Sequence, residues 1–221
     1  MKVVISGYGR MGHMVEEVLH EKNVEFAGWS EDIASFDKAL AKECVCIDFT
    51  TPAAFRSNYR ALAENFRAVV VGTTGWGDIA SEVISYFEKC GTTMIYASNF
   101  SIGVNVTFAL ARKAASLLKG ASYEASIVET HHIHKLDAPS GTAASLASIV
   151  EAETGKEVPI ESRRIGEVPG IHTLTFRSLC DSITITHEAF SRKGFAEGAV
   201  QAALLTEGLR GVHEFKDIIL N

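Results

Sequence analysis

The first half of the chain alternates short apolar runs with longer stretches at helical spacing. Lys2–Ser6 is a β-branched run, and Arg10–Glu21 then sets Met11, Met14, Val15, Val18 and Leu19 on one helical face. Val24–Trp29, Cys44–Phe49, Ala68–Val71 and Met94–Ala97 are further apolar runs, and the third and fourth of these five strands each lead through turn residues into a helical pattern. Strands alternating with helices predict parallel βαβ units in a doubly wound α/β sheet. Right-handed crossovers would gather the loops after the strands along one carboxyl edge, where such sheets bind ligands.

The pattern changes after Asn99. Val104–Leu118 reads as one long helix, whereas Ser122–Glu129 has a period of two, with Tyr123, Ala125 and Ile127 on one face. Thr173–Phe176 and Ser182–His187 also alternate, with Asp181 at the turn between them. Strands grouped without intervening helices predict an antiparallel or mixed sheet, and so a second, smaller α+β domain. Thr142–Val150 and Gly198–Leu209 read as helices, and Asp217–Leu220 as a short tail.

Composition narrows the function. The chain has 221 residues, 47% hydrophobic and 22% charged, enough for a substantial core. A net charge of −6 argues against a nucleic-acid partner. No apolar run approaches the ~20 residues that span a membrane, and the N-terminal run is too short for a signal peptide. Cys44, Cys46, Cys90 and Cys180 are therefore expected as reduced thiols in a cytoplasmic protein.

Three motifs fall where a doubly wound sheet would hold a cofactor. Gly7-Tyr8-Gly9-Arg10-Met11-Gly12 is a G-x-G-x-x-G turn between a strand and a helix. Its glycines permit a tight turn and let backbone N–H groups approach a pyrophosphate at the helix N-terminus. Glu31 lies 19 residues beyond Gly12, where an acid would bind the adenosine ribose, and Asp32 follows it. Neither Arg nor Lys stands beside them to receive a 2'-phosphate, which favours NADH over NADPH. Asp48-Phe49-Thr50-Thr51-Pro52 and Gly72-Thr73-Thr74-Gly75 follow strands and offer small hydroxyl residues at the same edge, although ordinary turn chemistry uses the same residues. Ala97-Ser98-Asn99-Phe100 closes the first half, with Asn99 a candidate contact to the nicotinamide amide or, alternatively, a plain helix-entry residue.

The densest chemistry is Glu129-Thr130-His131-His132-Ile133-His134-Lys135-Leu136-Asp137-Ala138-Pro139-Ser140-Gly141-Thr142. A metal site would need imidazoles aimed at one point. On a strand, however, His132 and His134 share a face that His131 does not, and there is no carboxylate at ligand spacing. A solvated basic turn is one alternative. The other is a site for an anionic substrate that must be protonated. In that reading Ser140, Gly141 and Thr142 present donors at a helix N-terminus, Lys135 supplies positive charge, and a histidine moves a proton near neutral pH.

This string closely resembles the signature of the 4-hydroxy-tetrahydrodipicolinate reductase (dihydrodipicolinate reductase) family of bacterial lysine and diaminopimelate synthesis. The resemblance extends to GYGRMG, DFTTP, GTTG, SNFSIGVN and the later ITHEAFSRKGFAEGAVQAALL. It implies a Rossmann-type dinucleotide-binding domain over residues 1–99, completed by about 195–221, and a mixed-sheet substrate-binding and oligomerisation domain over 100–194. It implies NADH or NADPH as cofactor, a small cyclic dicarboxylate as substrate and a homotetramer. It makes His131 the acid/base residue and Lys135 the proton donor. His132 contacts substrate, and Gly141 and Thr142, reached through Ser140, hold a substrate carboxylate. Cofactor contacts fall on Gly7, Tyr8, Gly9, Arg10, Met11, Gly12, Glu31, Gly72, Thr73, Thr74, Ala97, Ser98, Asn99 and Phe100. The stretch between Glu31 and Cys44 is abbreviated relative to the family, as is the loop before Arg163-Arg164, and Ile171 precedes His172 where an acid is expected. Rivals are another amino-acid dehydrogenase of this architecture, or a non-catalytic nucleotide sensor. The intact His131–Thr142 string argues against both.

Overall fold

The computed structural model describes residues 1–220. The chain divides into two compact units, Met1–Ser101 with Lys193–Asn221, and Ile102–Arg192.

The first unit follows the βα alternation. Strand β1 (Lys2–Ser6) leads into helix α1 (Arg10–Glu21), whose Val15, Val18 and Leu19 are fully buried. Strand β2 (Glu25–Ser30) is followed by a 3-10 turn at Ile33–Ser35 and a single helical turn, α2 (Lys38–Ala41), capped by the Asp37 side chain. The crossover from β2 to β3 is thus short, a 3-10 turn followed by one helical turn. Strand β3 (Cys44–Asp48), helix α3 (Pro52–Asn65), strand β4 (Ala68–Val71), helix α4 (Ala80–Cys90) and strand β5 (Thr93–Tyr96) complete the pattern.

β3 and β4 are buried along their whole length, as strands with helices on both faces must be. The six-stranded sheet is parallel throughout, in the order β10-β5-β4-β3-β1-β2. Its order reverses at β1, so the crevice beyond the carboxyl ends of β1 and β3 is the expected ligand position.

The second unit begins with helix α5 (Ile102–Leu118). Strand β6 (Glu124–His131), helix α6 (Gly141–Thr154), strand β7 (Ile160–Arg164), strand β8 (Gly170–Arg177) and strand β9 (Ser182–Ala189) follow. The sheet order is β7-β6-β8-β9, with β7 parallel to β6 and the other pairs antiparallel. Register sorts its two faces. Ile160, Ile127, Leu174 and Ile185 form one cross-strand row, packed in a cluster with Ala111 and Ala115 of α5 and Ala143, Leu146 and Val150 of α6. The opposite face carries Ser126, Thr173, Thr175, Thr184 and Thr186, half-buried or exposed.

The chain then returns to the first unit through helix α7 (Lys193–Leu205), strand β10 (Val212–Glu214) and helix α8 (Phe215–Ile219). The helix expected from Gly198 starts at Lys193 and ends earlier, at Leu205. Gly198 is not a helix boundary but a point of close approach, since a Cβ there would meet the Phe100 carbonyl oxygen at 1.8 Å. Two strands escaped the pattern reading. β7 (Ile160-Glu-Ser-Arg-Arg) is a polar edge strand, and β10 has only three residues. Leu174→Ala should lower stability by about 2–5 kcal/mol, because Leu174 is fully buried in the second unit's core. The shift in the urea unfolding midpoint measures it.

Candidate active site

At the carboxyl edge of the parallel sheet the glycine turn is built as its spacing implies. Gly7 has φ of +84°, and a Cβ there would lie 2.5 Å from the Phe49 carbonyl oxygen, so only glycine lets the turn lie against the chain leaving β3. Gly9 is the N-cap of α1 and offers no side chain to its first turn, so those N–H groups lack an intrahelical acceptor. The exposed Glu31 carboxylate accepts the Tyr8 N–H at 2.9 Å, which ties the end of β2 to the turn. The Tyr8 ring stacks on Trp29, with centroids 4.6 Å apart, and its hydroxyl bonds Glu16.

Beside this turn Asp48 is fully buried at the end of β3. Burial pushes its carboxyl up, opposed by hydroxyl donors from Thr73, Ser6 (2.7 Å) and Thr50 (3.1 Å). Thr73 Oγ1 also accepts the Thr50 N–H at 2.7 Å, so the end of β1 and the loops after β3 and β4 meet at one carboxyl group. Thr51 caps α3 through the Ala54 N–H, and Pro52 takes the first helical position. A cavity of about 230 Å³ opens here, lined by Thr73, Thr74, Tyr96, Ala97, Ser98 and Glu214 among others. Asn99 turns its Oδ1 to the Ser101 N–H at 2.8 Å. The Phe100 ring is buried against Phe49 and Phe215.

The second constellation lies in the other unit, on the same sheet face as its apolar row but nearer the end of β6. One row aligns Ser162, Glu129, His172 and His187 across the four strands, and the next pairs His131 with Arg164. Glu129 has no exposed surface. Its Oε2 meets His131 Nδ1, and its Oε1 accepts from Arg164 Nη2 at 3.0 Å and from the Ser140 N–H at 3.3 Å. Burial pushes this carboxyl up, but hydrogen bonds from Arg164, Ser162 and His131 outweigh it and hold it at about 2.

Arg164 also donates to the Asp137 carbonyl at 2.7 Å, bracing the loop that carries Lys135. The Lys135 ammonium contacts both Asp137 carboxylate oxygens, at 2.8 and 2.9 Å, and lowers the Asp137 pKa. Ser140 caps α6 by accepting the Ala143 N–H at 3.2 Å, and its hydroxyl lies 3.0 Å from His172 Nε2. Both contacts use the same hydroxyl, so Ser140 ties the start of α6 to His172 on β8. The His131 and His172 rings meet edge to face at 5.1 Å.

Sequence reasoning set His132 and His134 on a strand; β6 ends at His131, and both lie in the turn beyond it. His134 is exposed and bonded to Glu167 at 3.0 Å. Lys135, expected to supply positive charge, is paired to Asp137. Among the described residues no three His, Cys, Asp or Glu side chains form a metal-binding group. The site roles of Glu129, Arg164 and His172 were missed. The only available signal was parity with His131 along β6, β7 and β8, and it carries no information until the strands are paired.

A doubly wound parallel sheet with an open glycine turn, joined in one chain to a mixed sheet carrying acid, base and cationic groups, defines a two-domain oxidoreductase. Residues 1–100 match the family model for the dihydrodipicolinate reductase N-terminus, and residues 103–219 that for its C-terminus. The chain is 39% identical to 4-hydroxy-tetrahydrodipicolinate reductase of Christiangramia forsetii and 34% identical to that of Akkermansia muciniphila, each over 99% of this chain and 98% of the relative. A solved dipicolinate-bound dihydrodipicolinate reductase from Paenisporosarcina sp. TG-14 superposes with a TM-score of 0.81 at 22% identity, over 99% of both chains. The chain belongs to the dihydrodipicolinate reductase family.

The histidine row predicts a pH dependence of stability. Burial, with the nearby His131, pushes His172 down to about 4 from an ordinary value of 6.5. Between those values the unfolded chain binds more protons than the folded one, so stability falls as pH falls. His172→Gln should remove about 1–3 kcal/mol of the stability that the wild type loses on acidification. Urea unfolding at pH 7 and pH 5 reads it, and an unchanged loss in the variant would contradict it.

Proposed function

We propose that the chain transfers hydride from NADH or NADPH to the dehydrated form of 4-hydroxy-tetrahydrodipicolinate, giving tetrahydrodipicolinate. The observation that carries this reading is the match to reductases of that name over essentially the whole of both chains. We assign cofactor binding to the first unit and substrate binding to the second.

The glycine turn fits a dinucleotide. The Gly7 position excludes a side chain, the first turn of α1 is uncapped, and Glu31 sits at the end of β2 facing the turn. Gly7, Tyr8, Gly9, Arg10, Met11 and Gly12 would hold the pyrophosphate and Glu31 the ribose. Thr73, Thr74, Ala97 and Ser98, which line the adjoining cavity, together with Gly72, Asn99 and the Phe100 backbone, would hold the nicotinamide end. Bound there, a reduced nicotinamide supplies the hydride. Glu31, with a free carboxylate oxygen and no basic neighbour in sequence, favours NADH.

The chain's own groups handle charge and protons. The N–H groups of Gly141 and Thr142 have no intrahelical acceptor at the start of α6, which supports a substrate carboxylate docking there. His132 is taken as a further substrate contact. Lys135, released from Asp137 by an anionic ligand, donates a proton to the reacting ring, and His131 acts as acid/base residue beside it. The exposed threonine-rich face of the second unit's sheet supports assembly of copies, and we assign a homotetramer, testable by light scattering. We assign a cytoplasmic setting, where Cys44, Cys46, Cys90 and Cys180, all free thiols, stay reduced.

The test is oxidation of NADH or NADPH with substrate made in place by the preceding condensing enzyme. Turnover is expected with both, and none with either would defeat the reading. Lys135→Ala should lower kcat at least about 10²-fold while cofactor binding is unchanged by fluorescence titration. Glu31→Ala should weaken NADH binding roughly tenfold and NADPH binding less. Equal weakening of both would trace the effect to the lost Tyr8 contact instead.

A further inference from the structure

We infer that Glu129 is a positioning residue that holds the proton of neutral His131 on Nδ1 and so commits Nε2 alone to proton transfer. This rests on the acid/base role proposed for His131. Both oxygens of Glu129 are occupied, one by His131 Nδ1 and the other by Arg164 and the Ser140 N–H. An ionised carboxylate only accepts hydrogen bonds, so the nitrogen facing it must donate. Buried and held by His131, Arg164, Ser140 and Ser162, the carboxylate cannot turn away, and the imidazole cannot flip without stranding a buried anion.

Gly170 borders the other edge of the ring. A Cβ at Gly170 would come within 3.0 Å of His131 Nε2 and 3.3 Å of Cδ2, so a side chain there would crowd that edge. The charged or titratable groups around His131 are Glu129 on β6, Lys135 on the following loop, Arg164 on β7 and His172 on β8. Burial lowers the His131 pKa, and Glu129 is the neighbour that raises it, while Lys135 and Arg164 lower it. Glu129 therefore sets both the tautomer and the ease of charging at Nε2. Arg164 makes the arrangement cooperative, because the guanidinium that fixes Glu129 also bonds the backbone of the Lys135–Asp137 loop.

Glu129→Gln separates the possibilities. Arg164 and Ser140 both donate, so they should claim the amide oxygen and turn the NH2 toward His131 Nδ1. That inverts the tautomer at almost constant shape. Two-bond 1H–15N correlation spectra of wild-type enzyme at pH 8 should show His131 protonated on Nδ1 and bare on Nε2. Protonation on Nε2 would overturn the inference whatever the variant does. In Glu129→Gln the pattern should reverse, with kcat down by roughly 10²–10⁴ and KM for both substrates nearly unchanged. The limb of the pH–rate profile that reports His131 should move to lower pH. An unchanged tautomer in a folded variant would also overturn the inference. An inverted tautomer with unchanged kcat would instead remove His131 from proton transfer, and so defeat the proposed acid/base role rather than the hydrogen-bond assignment.

Discussion

A carboxylate with no access to water must be answered by fixed donors, and in the second unit that requirement falls on Glu129. Left unpaired it would cost several kcal/mol, so its surroundings cannot vary freely. Satisfying it fixes the ring of His131, the guanidinium of Arg164 and the backbone at Ser140, which starts α6. Through Arg164 it also fixes the loop bearing Lys135. The groups assigned to proton transfer and carboxylate binding thus hang on one buried charge, placed where the apolar row of the sheet gives way to a polar one.

The first unit applies the same logic to a different end. Asp48 is buried at the carboxyl end of β3, and hydroxyls from Ser6, Thr50 and Thr73 answer it in place of cations. These neutral donors join the end of β1 to the loops after β3 and β4 beside the glycine turn. The threonines of DFTTP and GTTG accordingly have structural work before any ligand arrives. Thr50 and Thr73 hold Asp48, and Thr51 starts α3. These residues frame the sheet edge to which we assign the cofactor.

Much of this was legible along the chain. β1, α1 and β4 fall where periodicity set them, because each pattern is local and each element buries one face or both. The glycine turn was legible for the same reason, since its steric demands concern adjacent residues. The polar edge strand β7 and the true start of α7 were not. An edge strand needs no apolar alternation, and Gly198 lies inside its helix to accommodate Phe100, far away in sequence.

The sequence by itself determined the alternating sheet, a second sheet of grouped strands, and the family, through a string whose residue types and order are specific. Tertiary structure alone decided which groups meet. Glu129 touches Arg164 and Ser140, and His172 touches both Ser140 and the His131 ring, only because β6 pairs with β7 on one side and β8 on the other in a fixed register. Cross-strand neighbours are set by long-range pairing, and a one-residue slip would send every one of these side chains to the opposite face.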